Sequence, residues 1–110
     1  MKITVSSLGP GLDAEVDQHF GRAKWLVIYD PETGEIENID NSVNNQAVQG
    51  AGIKTAELIV EKKCGTVITG NLGPKALRAL QQAGVKGYIN ASGTVKEAIS
   101  AFQAGKLPEA

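Results

Sequence analysis

Three extended segments precede any stretch at helical spacing, and that order restricts the possible folds more than any other feature of the chain. Lys2 to Ser7 alternates with Ile3 and Val5 on one face until Gly9-Pro10-Gly11 breaks it. Trp25-Leu26-Val27-Ile28-Tyr29 is a β-rich apolar run that stops at Asp30-Pro31-Glu32-Thr33-Gly34. There Pro presets one turn angle and Gly supplies the positive φ that closes a hairpin. The third segment, Glu35 to Asp40, is charged, with Ile36 and Ile39 out of strict alternation, as suits an edge strand that must resist pairing with other chains. Leu12 to Gln18 has room for only a turn or two of helix, and a flavodoxin-like doubly wound sheet needs a full helix there.

The period then changes. Ile53, Ala56, Ile59 and Val60 are spaced as one helix face, with Lys62-Lys63 in the last turn and Gly65 placed for a left-handed end. Thr66 to Thr69 reads as a short buried strand. Gly73-Pro74 opens a second helix with the apolar face Ala76, Leu77, Leu80, Ala83, closed by Gly84. Lys86 to Ile89 is the last strand. Thr94 and Glu97 then form a capping box ahead of Val95, Ala98, Ile99 and Phe102 at i, i+3, i+4, i+7. The order β-β-β-α-β-α-β-α predicts a ribonuclease-H-like α/β fold. Its mixed five-stranded sheet has the order 3-2-1-4-5 and helices on both faces. A chain of 110 residues suits one domain over 1–107 with a tail at 108–110.

Charge and hydropathy remove several classes of function. A formal net charge of -1 leaves no electrostatic footprint for nucleic acid. Trp25 to Tyr29 falls far short of the roughly 20 apolar residues that span a bilayer. Ile3-Thr4-Val5-Ser6 alternates where a secretory signal would be continuously apolar, so the expected address is the cytoplasm. The single cysteine, Cys64, agrees with a reducing compartment and cannot build a four-thiolate cluster site.

The predicted topology gathers Leu8 to Asp13, Gln18 to Lys24, Asn41 to Gly52, Gly70 to Lys75 and Asn90 to Thr94 at one sheet edge. That is where open α/β sheets place ligands. His19, the only histidine, lies in one of these connections, open to either a metal-ligating or a structural hydrogen-bonding role. Arg22, Lys24 and the helix starts at Gly73-Pro74 and Thr94 suit an anion, or are good caps beside solvated charges. The polar stretch Asn41 to Gly52 reads as a lid over that edge or as a plain connection. Cys64 belongs at the opposite edge, as an inert thiol.

Other chemistries lack their residues. Gly9 and Gly11 have no third glycine for a dinucleotide fingerprint, and Gly52-Ile53-Lys54-Thr55 interrupts the core of a phosphate loop. The central strands carry no carboxylates for a nuclease's divalent metals, and no serine or cysteine nucleophile can be given a base.

Gly11-Leu12-Asp13, His19-Phe20-Gly21-Arg22-Ala23, Gly50-Ala51-Gly52-Ile53 and Gly70-Asn71-Leu72-Gly73-Pro74-Lys75-Ala76, taken together, are similar to the dinitrogenase iron-molybdenum cofactor biosynthesis family. That family includes NifX-like accessory proteins and the carboxyl-terminal domain of NifB. The resemblance implies a non-enzymatic carrier of an iron-sulfur or molybdenum-iron-sulfur cluster. Its expected partners are a cluster donor or acceptor protein and an accessory ATPase. It places cofactor contacts at Gly11, Asp13, His19, Phe20, Gly21, Arg22, Gly70, Asn71, Gly73 and Lys75, with His19 as the metal contact. The alternative is an interaction or regulatory domain whose edge loops bind a protein without metal.

Overall fold

The structure is a computed structural model that describes residues 1–47 and 49–110. Its elements are β1 (Lys2–Ser7), β2 (Trp25–Tyr29), β3 (Ile36–Asp40), α1 (Ser42–Asn45), α2 (Ala51–Glu61), β4 (Cys64–Ile68), α3 (Pro74–Gln82), β5 (Lys86–Tyr88) and α4 (Val95–Gln103). The sheet order is β3-β2-β1-β4-β5. Pairing is antiparallel within the β1-β2-β3 meander and parallel from β1 through β4 to β5, as the element order predicts.

Alternation in the central strands divides the core in two. Ile3, Val5, Val27 and Ile68 face Val95, Ala98 and Ile99 of α4. Leu26, Ile28 and Val67 face Ala56 and Ile59 of α2 and Ala76 and Leu80 of α3. Helices therefore cover both faces; β2 and β4 contribute side chains to both clusters, and β1 contributes Ile3 and Val5 to the α4 side. β3 is an edge strand with four of its five residues exposed. At the other edge, residues 108–110 run along β5: Ile89 N donates to the Pro108 carbonyl (3.0 Å) and Ala110 N to the Gly87 carbonyl (2.9 Å).

The face of α2 is rotated from the expected one. Ala51, Thr55, Ala56 and Ile59 are buried, whereas Ile53 and Val60 stand 36% and 38% exposed. Thr55 takes a core position despite its hydroxyl because that hydroxyl accepts from Asn41 Nδ2 (3.1 Å) and so is not itself left unpaired. The left-handed residue after α2 is Lys63 (φ 62), not Gly65. Gly65 lies inside β4, which begins two residues earlier than expected, and the Met1 side chain packs where its Cβ would be. The expected loop over 41–52 contains the single turn α1 and the first residues of α2; Val48 lies outside the described residues.

The capping box forms as read. Glu97 N donates to Thr94 Oγ1 (3.1 Å), and Thr94 N donates to Glu97 Oε1 (2.9 Å). Thr94→Ala is expected to cost about 1 kcal/mol in urea denaturation. The bonds from Thr94 hold the Glu97 carboxyl below the ordinary carboxylate range. A depressed folded-state value means that this contribution is complete above the unfolded carboxylate pKa and is lost as pH falls through the folded one. The stability advantage of the wild type over Glu97→Gln should therefore disappear in acid; an advantage that persists there would show that the charge is not its source.

Candidate functional site

The site is built on the carboxyl end of β1. Asp17 N donates to the Ser6 carbonyl (2.9 Å), the Ser6 hydroxyl donates to the Asp17 carbonyl (2.7 Å), and Asp17 Oδ1 accepts from His19 N (2.9 Å). These three bonds fix where the chain leaves the sheet. The following segment then lies against the residues after β4. Asn71 N donates to the Gln18 carbonyl (2.7 Å) and Phe20 N to the Asn71 carbonyl (3.4 Å), forming a parallel bridge between His19 and Asn71. Gly70 permits this pairing, because a Cβ there would come within 2.8 Å of the Gln18 Cα.

Phe20 turns inward, 1% exposed, into the cluster with Leu26, Ala56, Ile59 and Leu80. Its neighbour Gly21 touches the first turn of α2 backbone to backbone; a Cβ on Gly21 would sit 2.7 Å from Gly52 Cα and 2.8 Å from Gly52 N. A Cβ on Gly52 would in turn meet the Ala76 Cβ of α3 at 3.2 Å. Small residues at three successive contacts thus bring the His19 segment and the starts of α2 and α3 together.

Between them lies a cleft of about 430 Å³. His19, Phe20, Gly21, Arg22, Asn71, Gly73 and Lys75 line it, as do Gly50 to Ile53, Pro74 and Ala76. Gly11, Asp13 and Gly70 do not. Gly70 lies buried behind the wall, Gly11 N donates to Asn38 Oδ1 (2.8 Å), and Asp13 is exposed in the segment that covers the start of α4. The amino-terminal turn of α2 was not among the expected contacts, although Gly50-Ala51-Gly52 carried the signal of a close backbone approach.

The lining suits an anion. Among the described residues, its Arg22 and Lys75 side chains are cationic and exposed, and no carboxylate lines it. Neither α2 nor α3 has a side-chain cap, so their first-turn N–H groups, including those of Gly52, Ile53, Lys75 and Ala76, have no acceptor among the described residues. These positive dipole ends both border the cleft. The start of α4, expected to contribute similarly, does not: Val95 N donates to the Ala14 carbonyl (2.8 Å), Lys96 N to the Leu12 carbonyl (2.9 Å) and Glu97 N to Thr94 Oγ1. All its free donors are satisfied on the opposite face of the sheet.

No group of three or more His, Cys, Asp or Glu side chains converges among the described residues. Cys64 starts β4 and so lies at the far edge, 4% exposed, with burial pushing its thiol above the ordinary range. Among the described residues, no helix is long and apolar enough to cross a membrane.

A sequence-family model described as dinitrogenase iron-molybdenum cofactor matches residues 1–105. The apo form of the orange protein from Desulfovibrio gigas is 40% identical, with a TM-score of 0.95 over 99% of this chain and 92% of that one. A Thermotoga protein provisionally assigned as NifB is 37% identical, with a TM-score of 0.86 over 98% and 91%. An uncharacterized protein of Methanocaldococcus jannaschii is 36% identical over 92 residues, which are 81% of this chain and 77% of that protein.

Proposed function

The chain belongs to the dinitrogenase iron-molybdenum cofactor family, and from that membership we propose that it carries an anionic metal cluster in the cleft between His19, α2 and α3. The observation that supports this reading most is the lining itself: two cationic side chains, two uncapped helix starts and no carboxylate around an open cavity. The cargo is an iron-sulfur or molybdenum-iron-sulfur cluster that arrives with most of its own ligands, because the described residues assemble no three-ligand set.

In this reading His19 provides the direct metal contact through its imidazole, and the Asp17 bond to its main chain sets where the ring stands. The first-turn N–H groups of α2 and α3 donate to the sulfide or oxo ligands on the cluster surface, as helix starts do to other anions. Arg22 and Lys75 balance the remaining charge, with Arg22 able to fork between two acceptors and Lys75 acting as a point charge. Phe20, Ile53, Pro74 and Ala76 form the apolar part of the wall and raise the worth of each donor by excluding water. One protein ligand and several hydrogen bonds make a reversible grip, which suits transfer to an acceptor protein, with an accessory ATPase as a further partner. The chain performs no chemistry on its cargo.

Loading the purified protein without oxygen with iron-sulfur and molybdenum-containing donors tests this, with metals per chain and the visible spectrum as readouts. One cluster per chain is expected, with occupancy falling at least about tenfold in His19→Ala while the fold survives. A folded protein that stays colourless and metal-free would remove the carrier reading and leave the edge loops as a docking surface for a protein partner.

A further inference from the structure

Arg22 borders the cleft, yet both hydrogen bonds it makes among the described residues go elsewhere. Its Nη1 donates to the main-chain carbonyls of Asn45 (2.8 Å) and Ala47 (2.7 Å). Those carbonyls belong to a strap, residues 41–47, that begins at Asn41. Asn41 is 1% exposed and firmly held: Nδ2 donates to the Ala23 carbonyl (2.9 Å) and to Thr55 Oγ1 (3.1 Å), and its own N donates to the Lys24 carbonyl (2.7 Å). Beyond that anchor the strap contributes nothing to the core. α1 buries no residue, and Val43 is 88% exposed. Among the described residues, the far end of the strap is tied to the rest of the fold by the two Arg22 bonds, and within itself by the local turn of α1, in which Asn45 N donates to the Asn41 carbonyl (2.9 Å).

A guanidinium has five N–H donors in a rigid fork, and the two of Nη1 are engaged with the strap. Nη2 and Nε have no acceptor among the described residues, so the group can bind the strap with one nitrogen and an anion in the cleft with the others. A charge on that side fixes the plane of the fork and removes the competing hydrations and rotamers that let the strap detach.

We infer that Arg22 couples the two, so that filling the cleft seats the 41–47 strap and a seated strap preorganises Arg22 for the cargo. This rests on the carrier reading above and adds a moving part to it. Because coupling is reciprocal, a change in the strap that touches nothing in the cleft alters affinity.

The reporters are the amides of Asn44, Asn45 and Ala47, which donate to carbonyls inside the strap. Their hydrogen exchange would be followed with and without two probes, a preformed soluble [4Fe–4S] thiolate cluster and sodium molybdate. Affinity for each probe would be measured separately in wild type, Arg22→Lys and Val43→Gly. Sheet amides at Val5 and Val27 serve as the folding control.

Binding should slow exchange at the reporters at least about fivefold in wild type. In Arg22→Lys, whose ammonium keeps the charge without the fork, the slowing should vanish. Val43→Gly, which loosens α1, should weaken binding about two- to fivefold. A probe that binds without moving strap exchange, or a Val43→Gly affinity equal to wild type, overturns the coupling and leaves the carrier reading standing. If neither probe binds although the loading experiment above deposits a cluster, the coupling falls alone; if both fail, the carrier reading falls with it.

Discussion

Phe20→Ala should lower the unfolding free energy by about 3–5 kcal/mol, the usual loss when a large aromatic is deleted from a packed interior. Phe20 comes from a connecting segment, where an aromatic residue would ordinarily be peripheral. Here the bridge between His19 and Asn71 turns it into the cluster with Leu26, Ile59 and Leu80, at 1% exposure. Small domains have about 5–15 kcal/mol in total, so the variant should be marginal at room temperature. Phe20 lines the same cleft as His19 and Arg22, so on the carrier reading affinity for a cluster should fall as well. Urea denaturation followed by circular dichroism measures the first effect. Phe20→Leu, which conserves most of the volume, should cost no more than about 1.5 kcal/mol. A loss below about 1 kcal/mol for the alanine variant would mean that the segment repacks freely and that Phe20 does not hold the cleft in shape.

Gly21→Ala adds a single methyl group and should nonetheless destabilise by about 1–3 kcal/mol. The atoms it meets at 2.7 and 2.8 Å are the main chain of Gly52, which cannot rotate aside as a side chain would. Relief requires the start of α2 to move away from the His19 segment, or the reverse, and either movement separates the donors that face the cleft. On the carrier reading, the loss of cluster affinity should therefore exceed what the loss of stability explains. Gly9→Ala is the control: its Cβ would meet only the Ala14 Cβ, at an ordinary 3.7 Å, and stability should change by less than about 0.5 kcal/mol. The amide resonances of residues 50–53 in Gly21→Ala should move well beyond those near the substitution. Unchanged resonances there, with a wild-type midpoint, would show that the contact yields without cost.

Much of the architecture was legible because it rests on local chemistry. The apolar run Trp25–Tyr29, the Pro-Gly turn after it, Pro74 at the first position of α3 and the Thr94-Glu97 box each act over a few residues, and each appears where the residues place it. The rotated face of α2 was harder to read. Thr55 is buried only because Asn41, 14 residues earlier, supplies a donor for its hydroxyl, and no periodicity within the helix reports that. Lys63 adopting φ 62 was likewise outside what a preference for glycine at helix ends foretells.

The candidate site divides in the same way. By itself the sequence determined that five connections meet at one sheet edge, and with them His19, Arg22 and Lys75, because strand order and direction follow from the spacing of apolar residues. Which helix starts face the cleft was settled by how the layers pack. The N–H groups of α4 are used up by the carbonyls of Leu12 and Ala14, whereas those of α2 remain open beside Gly21. The same packing carries Arg22 across to Asn45 and Ala47. Such outcomes depend on which distant main-chain acceptor comes within about 3 Å of a donor once the layers have packed, and a linear pattern of polar and apolar residues does not carry that distance.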